Sequence, residues 1–336
     1  MKRRWRNIFF LSGVAAVVLM LLTFDTDWNR IKDVLSQAGI WFPVIVLLWG
    51  IIYLTNACSF SLIINDGTSR RVPFGKVFQL TVSGYALNYV TPLGLMGGEP
   101  YRILELSGHV GGRKATSAVI LYSMMHICSH FCFWLSAVVL YVILHFCVGS
   151  PYLLNVWMCI MLGIMTAIFL LVLWLFSLGY RYGFVVKVFG ILSHIPVVRK
   201  WTKGYLEKHG SELEEVDSRI AFLHTRRRWP FRWSLFLEYA ARVISCIEYW
   251  LLIGLFMPGF TFWDSILVMA FSSLFSNLIF FSPMQMGGYE GGMALAAGGV
   301  QVPGAYGLYT ALVARIRQIV WTVIGIILMK TGSKDD

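Results

Sequence analysis

Charge is what this sequence has least of. Asp, Glu, Lys and Arg make up 13% of its 336 residues, against 57% hydrophobic residues. A soluble fold of that composition would lack the polar surface to cover its core, so an ordinary soluble protein is excluded and a polytopic membrane protein is implied. Acidic residues are scarcer than basic ones, 17 against 28, and the net charge is +11. The basic residues cluster beside apolar runs, where the positive-inside bias and attraction to anionic lipid account for them. That distribution argues against nucleic acid as a partner. There is no Walker loop, no Gly-x-Ser-x-Gly, and no soluble stretch large enough to bind a nucleotide or an aminoacyl-tRNA. No paired metal spacing occurs among Cys58, Cys128, Cys132, Cys147, Cys159 and Cys246, which read as packing residues. His126 and His130 are four apart but lack the Glu of His-Glu-x-x-His and an evident third ligand, so interhelical hydrogen bonding is their expected role. No cofactor is implied.

What is present is a series of apolar runs. After Met1-Lys2-Arg3-Arg4 the first continues over residues 8–24 without a small-residue cleavage site, and reads as a first span with a cytoplasmic start rather than a secretory signal. Residues 25–39 form a mixed-charge outer loop, and 40–64 return inward. Spans are then expected over 115–145, 153–178, 233–257 and 305–329. Between 178 and 233 lies the one substantial polar insert. Its residues 181–232 carry eleven Lys/Arg and five Asp/Glu and include Arg226-Arg227-Arg228. Two readings stand: amphipathic helices on the anionic cytoplasmic leaflet, or a solvated connector between halves.

Two stretches interrupt this pattern in the same way. Thr91-Pro92-Leu93-Gly94-Leu95-Met96-Gly97-Gly98-Glu99 and Ser282-Pro283-Met284-Gln285-Met286-Gly287-Gly288-Tyr289-Glu290 share a hydroxyl residue, a proline, a glycine pair and a carboxylate, with Pro and Glu equally spaced. Asn88 and Asn277 precede them. Broken backbone at membrane depth survives only inside protein or beside a wet cavity, and an ionisable residue there is a functional-site candidate. The bland alternative is a pair of Gly/Pro loops at the membrane surface. Charge bookkeeping makes 74–114 a hairpin that enters from and returns to the cytoplasm, and 262–301 its mirror from outside. The expected fold is therefore all-α, with about six full spans and two broken re-entrant hairpins arranged as an inverted repeat. It forms a single integral domain over 1–336. A first half (40–178) carries the motif at 91–99, the basic insert occupies 179–232, and a second half (233–330) carries the motif at 282–292. Such halves hold substrate at their interface in secondary transporters.

Glu99 and Glu290 need cationic partners if ionised within the membrane. Arg315 and Arg317 in the last span, and Arg102 and Arg113 in the first half, are candidates. If the carboxylates merely neutralise the arginines the pairs are structural. If they orient them towards a shared cavity, the guanidinium fork suits an anionic lipid head, with Gly97, Gly98, Gly287 and Gly288 exposing backbone N–H groups at helix starts. Glu238 and Arg242 are spaced for an i,i+4 ion pair, while Glu248, deeper in the same span, either faces the cavity or is protonated.

The stretch from Pro92 to Glu99, the stretch from Pro283 to Glu290 with Gly291 and Gly292, and Ala311-Leu312-Val313-Ala314-Arg315 in an apolar helix carrying Gly325 resemble the lysylphosphatidylglycerol synthetase transmembrane-region family. The resemblance runs from about residue 8 to 330. It implies a bacterial or archaeal cell-membrane (inner-membrane) protein that moves a charged lipid between leaflets. The chain would be a stand-alone member without the soluble synthetase domain, and so not an aminoacyl-transferase. The reading is a flippase or transporter for an anionic or zwitterionic lipid, both termini cytoplasmic. Its substrate-binding candidates are Asn88, Gly97, Gly98, Glu99, Arg102, Glu248, Asn277, Gly287, Gly288, Glu290 and Arg315. A rival is an accessory protein for a lipid-modifying or glycosyl-transferring enzyme, docked through the basic insert. In that case neutralising Arg226 to Arg228 matters more than changing the motifs. A third is an intramembrane enzyme sharing acid and base work between Glu99 and Glu290, for which no nucleophile is evident. A homo-oligomer is compatible with all three.

Overall fold

Apolar runs of this length satisfy their backbones as helices, and the computed structural model contains only helices and their connections among the residues it describes, which are 28–65, 67, 71–90, 97–147, 156–182, 214, 218, 228–278 and 288–331. They are α1 (Trp28–Ala38), α2 (Trp41–Ile64), α3 (Phe74–Val90), α4 (Gly98–Val110), α5 (Gly112–Cys147), α6 (Val156–Tyr182), α7 (Arg228–Gly254), α8 (Phe262–Leu278), α9 (Gly288–Gly299) and α10 (Gly304–Thr331). Among the described residues, three stretches are long and apolar enough to cross a bilayer: Trp41–Ile64, Gly112–Cys147 and Gly304–Lys330. The expected first span, most of the basic insert and the two motif centres lie outside the described residues.

Polarity is distributed inside out. Arg102, Glu238, Glu248, Arg315 and Arg317 are buried, whereas Leu47, Ile51, Leu171, Trp174 and Ile327 are exposed. A water-soluble protein reverses this arrangement. A chain surrounded by hydrocarbon gains nothing by hiding leucine from lipid but must shield its charges. This is an all-α polytopic membrane protein.

Two pairs of short helices stand apart from the long ones. α3 and α4 have 17 and 13 residues, α8 and α9 have 17 and 12. At 1.5 Å per residue even the longer limbs reach only about 26 Å, short of the roughly 30 Å hydrocarbon core. Each pair packs limb against limb. The neighbours of one pair match those of the other: α3 lies against α2 and α8 against α7, α4 against α5 and α9 against α10. Across the halves, α3 packs on α10 and α8 on α5, while α2 and α7 face each other. Each hairpin has its own apolar core, one including Phe60, Leu80, Tyr101 and Tyr122, the other Trp134, Phe271, Met293 and Ala297.

Close approach of backbones fixes these pairs. A Cβ on Gly98 would run into the backbone of Gly84, joining α4 to α3. On Gly292 it would lie 2.8 Å from Phe275 Cβ, on Gly307 2.6 Å from Met293 O, and on Gly325 2.6 Å from Ala86 Cβ. Small residues at such crossings let helices meet without a hydrophobic driving force. α3 is further held on α10 by Gln79 Nε2 donating to Leu328 O (2.7 Å) and Ser83 Oγ to Gly325 O (2.8 Å). The rising numbers on α3 meet falling numbers on α10, so the two run antiparallel.

Two boundaries differ from the sequence expectation. Residues 28–38 form a helix rather than a loop: their charged residues flank Val34 and Ala38, which are buried in a cluster with Ile45, Leu252, Tyr309 and Val313. Tyr309 Oη donates to Val34 O. α7 starts at Arg228 instead of 233, because Pro230 falls in the first turn, where its missing N–H removes no helical bond.

Candidate functional site

Both motif carboxylates occupy the first turn of the second limb of a hairpin, Glu99 in α4 and Glu290 in α9. A helix N-terminus favours an anion there, through its dipole and unpaired N–H groups. Asn88, near the end of α3, completes the first turn of α4: Gly98 N donates to Asn88 Oδ1 (2.6 Å) and Asn88 Nδ2 to Glu99 Oε1 (3.1 Å). Gly97, at the N-cap, is right-handed with φ −76°. Glu99 Oε2 is buried without a hydrogen-bond partner among the described residues.

Antiparallel packing of α9 on α10 sets Glu290 beside Arg315. Arg315 Nε donates to Glu290 Oε1 at 2.7 Å and its Nη2 to Oε2 at 3.4 Å. Its Nη1 donates to Tyr89 Oη at 3.0 Å, and its Cζ lies 5.1 Å from the Tyr289 ring centre. Tyr89 follows Asn88 in the chain. Adjacent residues at the end of α3 therefore hold the carboxylate of one motif and the arginine that pairs with the carboxylate of the other. The side chains of Glu99 and Glu290 are 22% and 20% exposed while those of Arg102 and Arg315 are buried, so each pair is open at its carboxylate end.

Arg102 has a different setting. It is 1% exposed; its Nε and Nη2 donate to Leu80 O and Thr81 O, and its Nη1 to Glu99 Oε1. The guanidinium passes over Gly84 and faces the rings of Tyr85 and Tyr122 at 4.9 and 5.4 Å. With each guanidinium nitrogen donating to protein, Arg102 clamps α4 to α3.

Glu248 is held away from the open pairs. Its oxygens accept from Arg317 Nε (3.2 Å), Arg317 Nη2 (3.0 Å) and Trp49 Nε1 (2.8 Å), and its side chain is 0% exposed. Arg317 Cζ stacks 3.7 Å from the Trp49 ring centre. Arg315 and Arg317, two apart on α10, thus face different neighbours, one an open pair and one sealed. Breaking a sealed pair strands a buried charge, which costs about 3–5 kcal/mol. Glu248→Gln is accordingly expected to lower the melting temperature in detergent sharply; an unchanged melt would show that the pair adds no stability.

Glu238 and Arg242 do not pair directly, as their spacing had suggested. His126 of α5 comes between them, with Nδ1 2.7 Å from Glu238 Oε2 and Nε2 3.2 Å from Arg242 Nη2. Arg242 also donates to Ser129 Oγ and His126 O. Asn277 lies in α8 with its side chain outside the described residues, as does all of Gly287, while Gly288 begins α9. Sequence reasoning missed Tyr89 and Trp49. The adjacency of Tyr89 to Asn88 was a usable signal, whereas nothing along the chain connects Trp49 to Glu248.

Comparison of the chain with curated proteins and with solved structures gave no match. Comparison with protein families gave one that spans nearly all of it: residues 9–325 match the family described as the lysylphosphatidylglycerol synthase TM region. This is a family of membrane domains linked to lipid head-group flipping or modification. The match covers both short-helix pairs and every residue of the site, and the chain belongs to the lysylphosphatidylglycerol synthase TM region family.

Proposed function

We propose that this protein is a flippase or transporter that carries a charged phospholipid head between leaflets through a midplane cavity, without enzymatic turnover. The observation that supports the reading is the adjacency of Asn88 and Tyr89 at the end of α3, the first bound to Glu99 and the second accepting from Arg315, the partner of Glu290. Both carboxylates there keep an open side. In this reading the two short-helix pairs are re-entrant hairpins of an inverted repeat, opening alternately to either leaflet of the cell membrane. Both termini lie in the cytoplasm. A lipid phosphate exchanges for Glu290 on the Arg315 fork, since guanidinium binds both oxyanions in the same bidentate manner. Glu99 and Asn88 receive the cationic or hydroxyl part of a zwitterionic or anionic head. The acyl chains remain in the bilayer beside the exposed apolar faces. Arg102 and Glu248 act as positioning residues, one holding α4 and the other holding α7 to α10.

The test is lipid movement in liposomes containing the purified protein, with a fluorescent phospholipid bleached from outside by a membrane-impermeant reductant. Protein-dependent bleaching of the inner leaflet is expected, and bleaching no greater than in empty liposomes would refute the reading. Neutralising Arg226 to Arg228 is expected to change the rate by less than about fivefold, the scale of a surface electrostatic contribution of 0–1 kcal/mol. A loss larger than that from Arg315→Ala would favour docking of a partner enzyme through the basic insert.

A further inference from the structure

Apart from the Glu99 and Glu290 pairs and the sealed Glu248–Arg317 pair, the structure contains a further buried polar cluster, at the junction of α2, α3, α5 and α7. Glu238 is 1% exposed; its Oε2 contacts His126, but its Oε1 is buried with no hydrogen-bond partner among the described residues. Asn56 of α2 is 5% exposed, and its Oδ1 is likewise buried and unpartnered. These two residues are level. Ser59 Oγ and Ser234 Oγ meet at 2.8 Å across the α2–α7 interface, and Trp49 reaches Glu248 further along, so the helices run antiparallel. Asn56 and Glu238 each lie one turn from the serine contact in the same direction, on the buried faces of their helices. Two acceptor oxygens without donors thus share one level of the interface, where an unpaired buried acceptor is costly.

The protonation pattern of the cluster follows from its donors. Arginine only donates, so the contact of Arg242 Nη2 makes His126 Nε2 an acceptor, and the ring proton lies on Nδ1, facing Glu238 Oε2. In that tautomer His126 is uncharged and stands between Arg242 and the Glu238 carboxyl. The carboxyl acceptor of this cluster without a donor among the described residues is Glu238 Oε1. A proton there turns that oxygen from acceptor into donor, towards the level of the Asn56 oxygen, and leaves the Arg242 charge uncompensated. Around Glu238 and His126 stand Tyr53 and Asn56 from α2, Tyr85 from α3, Arg102 from α4, Tyr122 and His130 from α5, and Arg242 from α7.

We infer that Glu238, with His126 and Asn56, is a proton-binding site that couples lipid movement to a transmembrane proton gradient. Intramembrane Glu and His residues commonly serve as such relays. A path of contacts joins this site to the head-group site. His126 Nδ1 lies 3.0 Å from Tyr85 Oη, the Tyr85 ring faces the Arg102 guanidinium, and Arg102 Nη1 donates to Glu99 Oε1. Protonating Glu238 removes the anion opposing Arg242 and repels Arg102 across Tyr85, which loosens the hold on Glu99. A sodium ion is the weaker candidate, since Arg242 already occupies the cationic place beside the carboxylate.

This inference rests on the lipid-carrier reading for its coupling but not for its proton site, and two measurements separate them. In the purified wild-type protein, infrared difference spectra across a pH titration are expected to show a protonated-carboxyl stretch that Glu238→Gln abolishes and Asn56→Leu shifts. In liposomes, one proton moved per lipid raises the leaflet ratio of labelled lipid by up to about tenfold per unit of imposed pH gradient, and Glu238→Gln removes that dependence. If Glu238→Gln does not fold, His126→Gln is expected to displace the carboxyl band and weaken the gradient effect. A titrating band with no lipid movement under any gradient would uphold the proton site and refute the carrier reading. Absence of a Glu238-dependent band, or movement that follows sodium and ignores pH, would overturn the inference.

Discussion

Lipid movement is expected to vanish in Arg315→Ala and in Glu290→Gln, with folded protein recovered at close to wild-type yield. The two halves of that expectation have separate physical grounds. Loss of movement follows because Arg315 is the cation of the open pair, reaching Glu290 from one side and Tyr89 from the other. Neither alanine nor an amide partner preserves the exchange of one oxyanion for another on the same guanidinium. Survival of the fold follows from the difference between the two arginine pairs on α10. Glu248 is completely enclosed, whereas Glu290 is 20% exposed, so water reaches the carboxylate that Arg315→Ala leaves behind; in Glu290→Gln the buried Arg315 keeps an amide oxygen as acceptor in place of the carboxylate and still donates to Tyr89. The expected cost is that of charge-assisted hydrogen bonds, about 1.5–3 kcal/mol, rather than the larger penalty of a stranded buried charge. The check is bleaching kinetics beside size-exclusion recovery for Arg315→Ala, Glu290→Gln and Glu248→Gln. If all three collapse equally on purification, the Glu290–Arg315 pair is structural.

Gly98→Ala is expected to be the most damaging single-methyl change among the described glycines. Its Cβ would enter the Gly84 backbone, which cannot move without separating α3 from α4. The same separation breaks the Gly98 N–H bond to Asn88 and draws Arg102 off the Leu80 and Thr81 carbonyls. Overpacking alone costs about 1–3 kcal/mol, and the buried polar groups left unpaired add about 1–3 kcal/mol each. Gly291→Ala is the contrasting case. No described residue lies within 4 Å of its added methyl, and alanine is favoured over glycine in a helix by about 1 kcal/mol. Melting temperatures in detergent are expected to fall by many degrees for Gly98→Ala and to hold or rise for Gly291→Ala. A Gly98→Ala protein that melts with wild type would show that α3 and α4 are not packed through these glycines.

Much of this arrangement was legible along the chain because hydrophobic runs and helix breakers report on the backbone directly. The proline and glycine interruptions located the two short-helix pairs, and the second limbs begin at Gly98 and Gly288 within the motifs. α1 was obscured because its apolar stripe is short and diluted by Arg30, Lys32 and Asp33, which reads as a loop until Tyr309 and Leu252 are seen to cover it. Partners proved harder than positions. The four-residue spacing of Glu238 and Arg242 speaks only of their own helix, and His126, which separates them, comes from α5. Glu248 and Arg317 were each visible as charges in apolar surroundings, but only the crossing of α2, α7 and α10 seals them together with Trp49. Arg102 looked like the counterpart of Arg315 by charge, and its burial over Gly84 gives it the different task of clamping the hairpin.

The central claim, that the two motif carboxylates share one chamber reached alternately from both leaflets, is tested most directly by cysteine accessibility at positions 99 and 290. The native cysteines are replaced, and an impermeant thiol reagent is applied from one side of sealed vesicles at a time. Labelling of both positions from both sides, slowed by added phospholipid, is expected. Labelling of each position from one side alone, indifferent to lipid, would contradict the account.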